Sequence, residues 1–158
     1  EEALMPDDYV GHAKLVKKLE GMGCSAYFAT GEHEYTRYGY QQLIEAGVNL
    51  LQPDVMWMGG PTEFIKIAAL ADAQSVALVP HGCGVYGYYM AMAFDNIHLA
   101  EFMMMSEHAD KIEPNFGILF KNEPLPVNGF IELPPTPGFG LELDREALNL
   151  IRPFDNCR

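Results

Sequence analysis

Along the first hundred residues short apolar runs alternate with helical patterns, and a charged or imidazole side chain closes each run: Glu32, Asp54, His81 and Glu101, with Glu1 opening the chain in the same role. These five recur at intervals of 31, 22, 27 and 20 residues, room for one strand, one helix and two short connections. Strands joined through helices must lie parallel, because a parallel pair needs a long crossover and a helix supplies it. Their carboxyl ends then share one rim, and in a β/α barrel the side chains of that rim converge on the mouth where chemistry is done. The expected fold class is therefore α/β, part of a TIM-like barrel.

The punctuation supports this order. Pro6-Asp7-Asp8 opens a helix to about Glu20, since an Asp side chain accepts the free N–H groups of a first turn. Val10, Ala13, Val16 and Leu19 give it one apolar face, and Gly21 and Gly23 stop it. Ser25 to Ala29 reads as a buried strand delivering Gly31-Glu32-His33, and a helix over 37–46 follows with Tyr40, Leu43 and Ile44 on one face. Val48 to Gln52 is the next strand, ending in Pro53-Asp54, and Gly59-Gly60-Pro61-Thr62 turns into a helix over 63–74. Val76 to Val79 ends in Pro80-His81-Gly82, a helix runs over 85–94, and Leu99 to Met103 is the last strand.

A complete eightfold barrel takes roughly 250 residues. The 158 residues here are thus expected to form its carboxyl-terminal half, over 1–112, with the preceding half supplied upstream or by another chain. Half a barrel leaves open strand edges and an open apolar interior, so association with that half is expected. From Pro114 onward the character changes: seven of the 11 prolines fall there. Residues 113–158 are accordingly expected as an extended segment of turns and short strands.

Charge narrows the partners. With 22 Asp and Glu against 10 Lys and Arg, the net charge of −12 repels phosphate backbones and anionic lipid surfaces, so neither nucleic acid nor membrane is an expected partner. No run approaches the roughly 18 apolar residues of a membrane span. Cys24, Cys83 and Cys157 are odd in number and show no paired spacing, which points to a reducing, cytoplasmic setting. His98 and His108 lack ligand spacing with any other His or Cys, which argues against zinc.

Two constellations carry chemistry. Glu1 and Glu32 are hard oxygen ligands suited to Mg²⁺, although on the residues alone such a pair is more often a solvated surface feature. Asp54 and His81 form the second: a carboxylate on one imidazole nitrogen fixes the tautomer and raises the basicity of the other. A lone histidine between Pro80 and Gly82 more often caps a backbone carbonyl, and it is the partnership with Asp54 that favours the base.

The order Glu1-Glu2, Gly31-Glu32-His33, Gln52-Pro53-Asp54 with Trp57 and Gly59-Gly60, Pro80-His81-Gly82, Glu101-Phe102, Asn128-Gly129 and Pro137-Gly138-Phe139-Gly140 resembles the enolase superfamily, specifically its mandelate-racemase-like acid-sugar dehydratases. The resemblance covers nearly the whole chain. It implies that Glu1 and Glu32 are two of three Mg²⁺ ligands, the third an Asp on an earlier strand, and that Asp54 and His81 are the catalytic dyad. It implies further that Glu101 is the active-site carboxylate of the last strand, that His33 contacts substrate, and that 113–158 packs toward an amino-terminal capping domain. The implied activity is that of a lyase: Mg²⁺-dependent dehydration of an aldonate to a 2-keto-3-deoxy acid, by a homo-oligomer of complete barrels. Cys83-Gly84 departs from the small hydroxyl residues that the resembled family favours at this point. A racemase or epimerase of the same superfamily would need a second base on the opposite face; a non-catalytic subunit is the reading from a different class.

Overall fold

The computed structural model describes residues 1–82 and 84–150. Cys83 and Cys157, and with them the departure noted at Cys83, lie outside the described residues. The chain packs as two compact units, Glu1–Glu101 and Phe102 onward, so residues 102–112 pack with the second unit.

In the first unit strands and helices alternate: α1 (Tyr9–Gly21), β1 (Ala29–Thr30), α2 (Arg37–Glu45), β2 (Leu50–Leu51), α3 (Pro61–Ala73), β3 (Ala77–Leu78) and α4 (Val85–Ala93). The strands form a parallel sheet in the order β1-β2-β3, with Ala29 opposite Leu50 and Leu50 opposite Ala77. Asp8 caps α1, its carboxylate accepting from Gly11 N at 2.8 Å. Pro61 opens α3, where a missing N–H costs nothing. Glu63 in the first turn of α3 reaches back to Arg37 at the start of α2, accepting from its backbone N at 3.1 Å and its guanidinium at 2.9 Å.

The core of the first unit is a cluster of buried side chains that includes Tyr40, Leu43, Leu51, Phe64, Ile67 and Leu78. The inward face of α1 differs from the expected one: Val10 is exposed, and His12 and Val16 are buried. Sequence hydrophobicity favours Val10, but the helix docks through Tyr9, Leu15, Val16 and Leu19, and that rotation carries His12 inside against Phe28.

Pairing is tighter than the apolar runs, two residues per strand, at or near the carboxyl end of each run. The strand expected over 99–103 does not form. Ile97 alone bridges Leu78 in parallel, whereas Leu99 is exposed and the run from 99 to 103 enters no ladder.

Gly31 marks the exit of β1 and places Glu32. Its φ of 127° lies in the region reserved for glycine, and a Cβ there would sit 2.9 Å from Tyr40 Cε1. Tyr40 cannot yield, being fully buried with its hydroxyl donating to Gly31 O at 2.7 Å. Gly31→Ala in the full-length protein is expected to cost about 2 kcal/mol or more, from backbone strain plus this clash. Denaturant unfolding measures it, and an unchanged midpoint and slope would refute the strain.

Among its described residues the second unit consists of turns, two isolated antiparallel bridges (Phe120 with Leu143, Val127 with Phe130) and α5 (Arg145–Leu150). Glu123 organises it from within, accepting from the backbone of Asn115 at 2.7 Å and Phe116 at 3.0 Å. Among the described residues no helix is long and apolar enough to cross a membrane.

Candidate active site

Parallel pairing continues beyond the named strands as single hydrogen bonds, and these carry the rim residues into register. Gln52 N donates to Thr30 O at 3.0 Å, Val79 N to Leu51 O at 2.9 Å and His81 N to Pro53 O at 3.1 Å. The last bond sets His81 beside Asp54, and His81 Nδ1 lies 2.9 Å from Asp54 Oδ2. Asp54 is buried. Its other oxygen, Oδ1, accepts from Met56 N at 2.7 Å and Trp57 N at 3.1 Å, so every side of the carboxylate is engaged.

With Nδ1–H donating to Asp54, the neutral ring keeps its lone pair on Nε2. Nε2 lies 3.1 Å from Glu32 Oε2, and Glu32 Oε1 lies 3.2 Å from His33 Nε2. Glu101 turns back to the same place, its Oε2 accepting from Gly82 N at 2.6 Å. Partial burial pushes His81 down, but the Asp54 hydrogen bond and the charges of Glu32, Glu101 and Asp54 outweigh it and hold the imidazole above its ordinary pKa. The structure thus gathers Glu32, His33, Asp54, His81 and Glu101 into one network.

Glu1 stands apart from that network. Its Oε1 accepts from Gln52 Nε2 at 3.0 Å, and the amide oxygen of Gln52 is buried with no hydrogen-bond partner among the described residues. Glu2 takes the position next to β1, accepting from the Thr30 hydroxyl and, at 3.0 Å, from Gly31 N. The carboxylates of Glu1 and Glu32 and the amide oxygen of Gln52 are hard donors of the kind Mg²⁺ takes. No group of three or more Asp, Glu, His or Cys side chains suited to one cation occurs among the described residues.

Three residues to which the sequence assigns no role join the site. Gln52 and Glu2 stand beside strand-end residues whose partners became visible only in the fold. Trp57 follows Asp54 by three residues, and its ring lies 5.2 Å from that of His33 and 5.6 Å from that of His81. The signal available was position: Gln52 is a polar residue inside an apolar run, and Trp57 is the only tryptophan of the chain.

Comparison with known proteins shows the family and the fold. The enolase C-terminal domain-like family matches residues 1–147. An L-rhamnonate dehydratase of Saccharopolyspora erythraea is 47% identical over 157 residues, which are 99% of this chain and 39% of that protein. A crystal structure of L-rhamnonate dehydratase from Gibberella zeae superimposes with a TM-score of 0.83 at 42% identity, over 92% of this chain and 37% of that one. A second structure of rhamnonate dehydratase from Gibberella zeae, complexed with Mg, gives 0.82 at 40% identity over 94% and 36%. The chain therefore spans well under half the length of these relatives.

Proposed function

The chain belongs to the enolase C-terminal domain-like family, and from that premise we propose that it carries the proton-abstracting side of an acid-sugar dehydratase acting on an aldonate such as L-rhamnonate. The observation that carries this reading is the dyad: Asp54 and His81 stand 2.9 Å apart at the ends of adjacent parallel strands, with His81 Nε2 toward the carboxylate of Glu32.

The difficulty of the reaction explains the design. A C–H next to a carboxylate is a very weak acid, and removing its proton near neutral pH needs both a positioned base and stabilisation of the charge that develops. His81 Nε2 takes the C2 proton, while Asp54 holds Nδ1–H and stabilises the imidazolium. His81 then returns that proton to the 3-hydroxyl, which departs as water, and the resulting enol tautomerises to the 2-keto-3-deoxy acid. Glu32 faces the same nitrogen, and Glu101 fixes the Pro80-His81-Gly82 turn through Gly82 N. His33, with a half-exposed side chain beside Glu32, is the substrate contact.

Glu1 and Glu32 would hold Mg²⁺, with further ligands from the rest of the full-length protein. Bound there, the cation supplies Lewis-acid stabilisation of negative charge on the substrate carboxylate. Glu32→Gln in the full-length protein is expected to weaken Mg²⁺ binding by at least about tenfold, measured by calorimetric titration independently of turnover. Unaltered affinity would remove Glu32 from the ligand set.

The decisive assay incubates the full-length protein with L-rhamnonate and Mg²⁺ and follows the 2-keto-3-deoxy product. A racemase using the same base would exchange the C2 proton and release no water, so product analysis separates the two. A protein that does neither does not take L-rhamnonate as its substrate, and one that does neither with a panel of aldonates is not an acid-sugar dehydratase.

A further inference from the structure

Trp57 takes no part in the proton transfers above, yet its backbone is held twice by Asp54, through Oδ1 at 3.1 Å and the main-chain carbonyl at 3.2 Å. Its indole stands near both rings of the site, inclined 31° to His33 and 51° to His81. Even so the residue is 48% exposed. A tryptophan is normally retained by burial of its large apolar surface, and half of that is forgone here. The exposed part borders an open cavity of about 450 Å³ lined by His33, Tyr35 and Trp57.

The other side chains of the site, Glu32, His33, Asp54, His81 and Glu101, are polar and suit the hydroxyl groups of a sugar acid. An acyclic sugar acid also carries a C–H on every hydroxyl-bearing carbon, and that edge calls for an aromatic face, whose negative π cloud matches the slightly positive C–H groups. The indole of Trp57 and the phenol of Tyr35, which line the same cavity, offer such faces. We propose that Trp57, with Tyr35, is a substrate-specificity wall, packing against the C–H edge of the aldonate chain beyond the reacting carbons. The inference rests on the acid-sugar reading given above and adds to it the residue that grips the non-reacting end.

The test uses the full-length protein with Trp57→Ala and Trp57→Phe variants, both on a loop position where loss of the ring leaves the core intact. Trp57→Ala is expected to raise KM for L-rhamnonate by about tenfold or more while kcat and C2-proton exchange at saturation stay within about threefold; Trp57→Phe, keeping a smaller face, falls between. A fall in kcat and exchange with KM unchanged would make the ring a support for His81 and overturn the wall, as would no change in either constant. Fluorescence tests the wall without turnover. Addition of L-rhamnonate is expected to alter the emission that wild type has and Trp57→Phe lacks, and an unaltered difference spectrum at saturating ligand would overturn it. Should wild type dehydrate no acid sugar, the dehydratase reading falls on its own, while this emission change still decides whether the wall meets an aldonate.

Discussion

Replacing His81 with alanine in the full-length protein is expected to abolish dehydration of the aldonate and exchange of its C2 proton with D₂O together, because both require the same proton to be removed. The expected loss is about 10⁴-fold, the upper end for a single general base, since His81 serves both the abstraction and the departure of the hydroxyl. That corresponds to about 5 kcal/mol of barrier. The fold is expected to survive. The bond from residue 81 N to Pro53 O is a backbone contact, and Asp54 keeps its two donors at Met56 and Trp57. An unchanged thermal midpoint with lost exchange therefore assigns the loss to chemistry. Near-normal turnover would sink the mechanism while leaving the fold and the family intact.

The contact between Asp54 and His81 was legible because it depends on little beyond strand ends. Adjacent parallel strands in matched register bring the residues just past their ends side by side, so Pro53-Asp54 and Pro80-His81 meet once β2 and β3 pair. Helix limits were legible for a related reason: Asp8, Pro61 and the glycines act locally, and the four helices of the first unit start and stop within about three residues of the positions that punctuation dictates.

What failed depends on partners distant in sequence. The run over 99–103 is as apolar as the others, but a strand exists only where another backbone takes its hydrogen bonds, and only Ile97 finds one. The face of α1 is set by what it docks against, which brings in His12 and leaves Val10 outside. The neighbours of Glu1 and Glu32 were equally out of reach: Glu1 accepts from Gln52 and Glu32 stands beside two histidines, contacts that no spacing reveals. Trp57 escaped because its place is set by the side chain of Asp54 rather than by an element.

Asp54 joins both stories, and its substitution is the second large effect expected. In Asp54→Asn the amide oxygen can still accept from Met56 N and Trp57 N, so the turn that carries Trp57 is kept. The amide nitrogen then faces His81 Nδ1 where a carboxylate oxygen stood. An N–H donor at that place demands a lone pair on Nδ1, which moves the ring proton to Nε2 and leaves the working nitrogen without a lone pair to accept the C2 proton. Turnover is expected to fall by about 10³- to 10⁴-fold, the cost of a wrong tautomer in a comparable His–Asp pair. Mg²⁺ affinity is expected to be nearly unaltered, because Asp54 contacts neither Glu1 nor Glu32. Asp54→Ala supplies the contrast: it also strips the acceptor from Met56 and Trp57, so it alone should lower the thermal midpoint, by the loss of two backbone hydrogen bonds to a buried carboxylate. If Asp54→Asn keeps wild-type kcat, His81 does not owe its tautomer to Asp54 and the dyad is only a structural contact.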